Sequence, residues 1–511
     1  MNDPRWLILG NPGHRRVAYV QDALSRTHHR PARLVSWIDA LTGRVDVASL
    51  MTPDTILRLE SPGEDERVTR ALLAIGAAQL DQPTMSVEDA SGAPLEHGRL
   101  LAPRQLREGW QAALATLSHA LRDAPGRVMS HPDEVAVMFD KLATHRRLDA
   151  HNVPRIPSLP DVASYDALRQ AMTQAGWDRV FIKLRGSSSA SGVAALRCAG
   201  RNVMLTTTAH LVDDPHTPAG FKLFNALRPR RYAVEADCRR IIDWLLAEGA
   251  VVERWLPKRS LNDKNFDLRV VVIRGVARQI VVRSSEHPMT NLHLGNSRGD
   301  LDAVRALLGP QGLADLEALC TQTAAAFPLA HYLGADIILP DDDPELGSQA
   351  RVIEVNAFGD LLPNVSHDGE DSYTAEVRTF ASVGVSDPAP PLRAILFDLD
   401  NTLIDRDAAF NAAVTAWTSC NQDALDELCK LDAHGHGDRQ TLCEAICDLL
   451  DTPRDQWRAV WAELPHRIAA QLRPDPAVQA TLAHLSTRHK LALISNGGAA
   501  GQRDKLARAD L

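Results

Sequence analysis

The sequence predicts a multidomain α/β protein, and three observations predict it. Residues 6–37 read as strand, helix and strand, the start of an alternating β/α unit. The middle carries two well-placed lysines, a small-residue loop and an acidic hairpin. Beyond a proline-rich joint, an apolar run ends in an acidic turn. At 511 residues a single core is not expected, and about two to four domains are. With 45% hydrophobic and 24% charged residues the chain can bury sizeable cores, which excludes disordered and fibrous classes. Fifty-six Lys+Arg against 65 Asp+Glu leave a net charge of −9, without the basic field that polyphosphate binding needs, so no nucleic-acid partner is expected.

Residues 6–10 read as a buried strand, 15–27 as a helix and 32–37 as a second strand, the start of a small α/β domain assigned to 1–129. Gly10-Asn11-Pro12-Gly13 lacks the G-x-G-x-x-G spacing of a dinucleotide-binding turn and reads as a plain strand-to-helix connection. The apolar run after Asp3, Pro4 and Arg5 is too short for a signal peptide or a membrane span, so a cytoplasmic protein without a membrane partner is expected. Seven cysteines form no disulfide framework. Cys420, Cys429, Cys443 and Cys447 lie near His434 and His436, but with no C-x-x-C pair they read as buried helical thiols.

From Ser130 the pattern changes. A helix is predicted over 138–150, then the turn His151-Asn152-Val153-Pro154 and a strand over 179–184 that runs into a Gly/Ser loop, 185–193. A helix over 233–248 should stop at Gly249 and feed a strand over 250–255, and strands 268–274 and 277–284 should form a hairpin around Gly275. Lys141 lies near the start of one helix and Lys183 at the end of a strand, positions where a phosphate needs a point charge. In the loop, Gly186, Ser187, Ser188, Ser189 and Gly192 would let backbone N–H groups approach phosphate oxygens. On these residues alone, a solvated loop beside two surface lysines stays open. A further hairpin, 335–339 with 351–356, places Asp336 opposite Glu354, with Asn356 on the face of Glu354. Facing carboxylates repel, and two carboxylates with an amide oxygen make a hard donor set for Mg²⁺, the alternative being a solvated acidic edge.

Together, Lys141 ahead of Val153-Pro154, Lys183 with its loop, Val252-Glu253-Arg254-Trp255, Asp267-Leu268-Arg269, Asn291-Leu292-His293-Leu294-Gly295, and Asp336 with Glu354-Val355-Asn356 resemble the ATP-grasp superfamily. The likeness is nearest to the branch that includes the ribosomal-protein glutamate ligase, and it spans 130–385. It implies an ATP-grasp α+β domain there and a pre-grasp α/β domain over 1–129. It also implies that Lys141 and Lys183 hold the phosphates of ATP and that the 186–192 loop closes as a lid. The strand 252–255 would meet the adenine edge, with Glu253 and Trp255 nearby, and Asp336, Glu354 and Asn356 would carry Mg²⁺. Arg283 and Asn291 match the positions that meet the transferring phosphoryl group and the acyl substrate, and Arg269 is a candidate carboxylate clamp or a structural arginine. The tail Asn356-Ala357-Phe358-Gly359-Asp360 departs from the glutamate ligase's Ser-Pro-Gly, so substrate identity does not carry over.

A stiff linker is expected over 386–392. After it, residues 394–403, with Asp398 and Asp400, resemble the first motif of haloacid dehalogenase-type phosphohydrolases. In that family Asp398 would be nucleophile and metal ligand and Asp400 the acid. The likeness implies a Rossmann-like domain over 393–511 with a helical cap over 407–473, and 491–496 resembles the second motif with Ser495 as phosphate-binding hydroxyl. The later lysine and the final acidic pair find no room before Leu511, and Lys505 follows Ser495 too directly to be that lysine. The domain reads as incomplete, with weak or absent phosphatase activity.

The function expected is an ATP- and Mg²⁺-dependent carboxylate–amine ligase working through an acylphosphate on an amino acid, peptide or other small carboxylate. Left open are a phosphohydrolase that uses the ATP-grasp part to recruit substrate, an ATP-grasp phosphotransferase, a nucleotide-binding regulatory protein, and a homo-oligomer.

Overall fold

In the computed structural model the described residues are 3–187, 190–200, 202–341, 346–347, 349–358, 362, 365–382, 394–486, 490–495 and 499–511. The chain forms a mixed α/β structure with several sheets, in two compact units, Met1–Gly384 and Val385–Leu511. Of the features expected from sequence, Ser188, Ser189, Gly359, Asp360, Asn496 and the linker 386–392 lie outside the described residues. Among the described residues no helix is long and apolar enough to cross a membrane.

The first unit opens with a four-stranded parallel sheet in the order Arg33–Val35, Arg5–Leu9, Thr55–Leu59, Arg127–Val128. Trp6, Leu7, Ile8 and Leu9 are all buried, which is why this run shows no alternation. The second strand is shorter than 32–37, because Ser36 accepts a hydrogen bond from the Asp39 amide and so starts a helix, Trp37–Leu41. Helices Glu66–Ala77 and Pro103–Leu121 cross backbone to backbone. A Cβ on Gly76 would lie 1.9 Å from the Gln105 carbonyl oxygen, and one on Gly109 1.8 Å from that of Leu72. Gly76→Ala should therefore push the helices apart and lower stability by about 3 kcal/mol, read by denaturant unfolding. A midpoint within error of the parent chain would contradict this contact.

Two antiparallel sheets follow. One has the order Phe221–Tyr232, Asn202–Asp213, Ala194–Ala199, Arg179–Leu184, Ala250–Arg254, and helices Tyr165–Gln174 and Glu235–Ala247 cover it. The other runs Ser297–Arg298, Val276–Ser285, Lys264–Ile273, Tyr332–Ile338, Arg351–Asn356. Its hairpin turns at Arg274 and Gly275, both at positive φ (51° and 77°), the geometry that two-residue hairpins favour. The helix expected over 138–150 is two, Pro132–Met138 and Lys141–Ala150. It breaks because the Asp140 side chain accepts from the Leu142 and Ala143 amides, and this cap leaves Lys141 as the first residue of the second helix.

In the second unit, Ala394–Phe397 pairs in parallel with Lys490–Leu493. Between them the chain packs the helices Arg406–Thr418, Gln422–Asp432, Arg439–Leu449 and Trp457–Gln471 around one apolar core. Cys443 and Cys447 are buried in that core as free thiols.

Candidate functional site

The site lies within the first unit, where side chains from both antiparallel sheets converge. Strand Arg179–Leu184 runs antiparallel to Ala250–Arg254 with Phe181 opposite Glu253. Lys183 Nζ lies 2.5 Å from Glu253 Oε2, and His145 Nε2 is 3.3 Å from Glu253 Oε1, all three side chains buried. Burial opposes ionisation of Glu253, but Lys183 and His145 outweigh it and hold the carboxyl at about 2. Burial likewise opposes the charge on Lys183, and Glu253, Glu354 and Asp336 override it, raising its pKa. Glu253, expected beside an adenine edge, lines the cleft but commits its carboxylate to Lys183 and His145, since a carboxylate this deep requires partners. Trp255 follows the strand's last residue and packs its ring 5.4 Å from that of Phe181. Arg254 and Leu256, on either side of it, line the cleft and Trp255 does not.

Lys141 ties the loop to the acidic hairpin: its Nζ donates to the Ser187 carbonyl at 2.7 Å and lies 3.0 Å from Glu354 Oε1. Ser187 lines the cleft. Gly186 packs directly on the Arg107 side chain, both lining a neighbouring cavity, and Gly192, at φ 66°, packs on Leu184 away from both cavities.

In the other sheet the register sets Asp267 opposite Arg283, Arg269 opposite Asp336 and Asp336 opposite Glu354. Arg283 donates from Nε to Asp267 at 2.7 Å and from Nη1 to Asp336 at 3.1 Å, and Arg269 closes a two-pronged pair on Asp336. Lys258 bridges Asp267 (2.7 Å) and Thr290 (2.8 Å). Burial works against every charge here. Even so, Arg283 and Lys258 hold Asp267 well below the carboxylate range, Arg269 and Arg283 lower Asp336, and Asp267 and Asp336 raise Arg283. On Lys258 burial wins and its pKa falls.

The acidic pair therefore differs from the sequence expectation. Asp336 and Glu354 do face each other, but the repulsion is relieved by Arg269, Arg283 and Lys141 rather than by a metal ion alone. Arg269, expected as a substrate clamp or a structural arginine, is part of that relief. Among the described residues no three His, Cys, Asp or Glu are grouped to hold a metal. Asn356 donates from Nδ2 to the Gly334 carbonyl at 3.4 Å, which leaves its amide oxygen as the third donor beside the two carboxylates. An all-oxygen set of this kind fits Mg²⁺ that takes its remaining ligands from phosphate and water.

Among the described residues the cleft is lined by six cations, Lys141, Lys183, Arg254, Lys258, Arg269 and Arg283, against the four carboxylates Glu253, Asp267, Asp336 and Glu354. Its apolar lining comes from two clusters, Ile156, Leu256 and Ile338 in one and Phe181, Val193 and Met289 in the other. Asn291 caps a short turn by accepting from the His293 amide, and it lines both this cleft and a second cavity. Sequence reasoning missed Lys258 and His145. Neither sits in a recognisable spacing, and only the fold brings them to Asp267 and Glu253.

In the second unit, Asp398 is exposed. Asp400 accepts from Lys505 Nζ at 2.5 Å and from Gln502 Nε2 at 3.2 Å, and Gln502 also donates to Ser495 Oγ at 2.7 Å. Lys505, set aside in the sequence because it follows Ser495 so directly, reaches the acidic turn because the helix Ala499–Ala509 returns along it.

No family model and no curated protein matches the chain. Solved structures that it resembles include D-cycloserine synthetase DcsG, at 15% identity over 74% of this chain and 99% of that one, with a TM-score of 0.44. Another is the ATP-grasp ligase PsnB complexed with precursor peptide PsnA2 and AMPPNP, at 16% identity over 75% and 98%, TM-score 0.39. A third is a Chryseobacterium gregarium RiPP-associated ATP-grasp ligase in complex with ADP and a leader and core peptide, at 11% identity over 74% and 97%, TM-score 0.41.

Proposed function

We propose that this chain is an ATP- and Mg²⁺-dependent ligase of the ATP-grasp kind that joins a carboxylate to an amine through an acylphosphate. In this reading 1–129 is the pre-grasp domain and 130–385 the catalytic one. The observation that carries it is that two neighbouring cavities meet at the same side chains: Lys141, Arg269, Arg283, Asn291, Glu354 and Asn356 line both. A carboxylate is a poor electrophile towards an amine, and phosphoryl transfer to it depends on positioning and charge neutralisation, which a shared cationic seam between two sites provides.

The two apolar clusters of the lining exclude water and take the base, while Lys183 and Lys141 draw the phosphates towards the seam. Arg283, fixed by Asp267 and Asp336, neutralises charge on the transferring group and leaves its remaining N–H groups for substrate oxygens. Asp336, Glu354 and Asn356 would hold Mg²⁺, which when bound screens the phosphate charge. Incubation with ATP, Mg²⁺, hydroxylamine and a library of amino acids, peptides and small acids tests the reading. Hydroxamate formation with matching ADP release is expected, whereas ADP release with a phosphorylated hydroxyl product and no hydroxamate would make the chain a phosphotransferase.

The second unit reads as a haloacid dehalogenase-like domain (393–511) with little hydrolytic activity, because the Lys505 ammonium occupies Asp400, the group expected to act as acid. Generic phosphate esters should be hydrolysed no faster by the parent chain than by Asp398→Asn. A Mg²⁺-dependent rate lost on that substitution would overturn this reading.

A further inference from the structure

The second cavity, about 420 Å³, continues from the cationic seam to the start of helix Arg15–Arg26 and the loop 61–64. Among the described residues its charges are one-sided: Arg15, Arg16, Arg107, Lys141, Arg269 and Arg283 against Glu64 and Glu354, in a protein of net charge −9. Walls of low dielectric focus such a field and favour an anion. Most of these cations are already matched, Lys141 by Glu354, Arg107 by Glu108, and Arg269 and Arg283 by Asp336.

Two donors on different elements are not matched. Arg16 has no carboxylate partner among the described residues, and its Nε is buried without an acceptor. Trp110, only 4% exposed, lines the same cavity with its indole Nε1 buried and unpaired. A buried N–H without an acceptor has lost its water and gained nothing in return, so two of them on one cavity ask for a ligand oxygen. The same cavity has an apolar wall: Trp110 packs on Phe139 (ring centroids 5.7 Å) and Phe139 on Phe358 (5.4 Å), and all three line it.

Resting on the ligase reading, we propose that the carboxylate substrate is a diacid with an apolar or aromatic body. The reacting carboxylate sits at Arg269 and Arg283, the body lies along Phe139 and Phe358, and a second anionic group is held by Arg16 within reach of the Trp110 N–H.

The test uses the full chain and matched probes, N-benzoylglutamate against N-benzoyl-4-aminobutyrate and phenylsuccinate against 3-phenylpropanoate. Binding is followed by calorimetry without nucleotide, and turnover by hydroxamate and ADP. At least one diacid should bind about tenfold or more tighter than its monoacid. Arg16→Gln should erase that difference and leave the Kd for ATP unchanged, with partial return in Arg16→Lys and an unaltered Tm in both. Should Arg16→Gln unfold, Trp110→Phe must weaken the diacid more than the monoacid, since it keeps an aromatic side chain but removes the N–H donor. Equal binding of diacid and monoacid, or a diacid preference that survives these changes, overturns the proposal. Arg16-dependent binding without any hydroxamate would keep this site and overturn the ligase reading instead. Hydroxamate from monoacids and diacids alike would do the reverse.

Discussion

Lys183→Met is expected to lower substrate-dependent ADP release by about 10³-fold and also to destabilise the chain, because it leaves the Glu253 carboxylate buried with only His145 beside it. Losing one partner of a buried pair costs about 3–5 kcal/mol, with His145 placing this case at the lower end. The two effects separate in the double variant Lys183→Met with Glu253→Gln, where no charge is stranded: stability should largely return while turnover stays lost. A stable double variant that still releases ADP at the parent rate would remove Lys183 from the phosphate site. The pair also sets an acid limit. Glu253 titrates at about 2 in the folded chain against 4.5 for an unperturbed carboxyl, so its contribution is whole above pH 4.5 and lost as pH falls through 2. Glu253→Gln should flatten that part of the stability profile, which unfolding at pH 3 and pH 6 will measure.

Much of the site was legible because the relevant residues sit on regular elements whose period is known. Two-residue alternation places Asp336 against Glu354 and Asn356 on the same strand face, and the strand containing Lys183 was bounded correctly at Arg179–Leu184. What the sequence could not supply is what meets these residues from elsewhere in the chain. Arg269 and Arg283 neutralise Asp336 only because three strands stand side by side, so a pair whose repulsion the sequence assigns to a metal is already matched by cations. The strands of 194–232 were not read at all. The register shifts between Thr207 and Ala209, and Phe221–Tyr232 carries Pro229 and three arginines that break the apolar alternation of an edge strand. Helix breaks were missed where a cap interrupts an otherwise continuous pattern, as at Asp140, and there the break matters because it sets Lys141 at the helix start.

The same limit hides the network that joins the first sheet to the end of the first unit, and it carries the second large effect. Arg58, on strand Thr55–Leu59, donates from Nε to Glu60 at 2.7 Å and from Nη1 to Glu376 on the helix Ser372–Ala381, with its guanidinium 4.8 Å from the Tyr332 ring. All three charged side chains are buried. One guanidinium cannot neutralise two carboxylates, and burial pushes Glu376 up to about 7 despite Arg58. The folded state thus keeps a proton that the unfolded chain releases near 4.5. The stability this gives is complete below pH 4.5 and is lost as pH rises through 7, on the order of 3 kcal/mol. Glu376→Gln should remove that slope. Arg58→Leu leaves both carboxylates without a cation and should cost about 3–5 kcal/mol, more at pH 8, where they must ionise or hold protons against solvent, than at pH 5, where protonation is cheap. Adding Glu60→Gln and Glu376→Gln to Arg58→Leu should recover most of the loss. Denaturant titrations at the two pH values decide it: an Arg58→Leu deficit that is equal at both, or within about 1 kcal/mol of the parent at pH 8, would mean that the guanidinium is not what holds these carboxylates in the core.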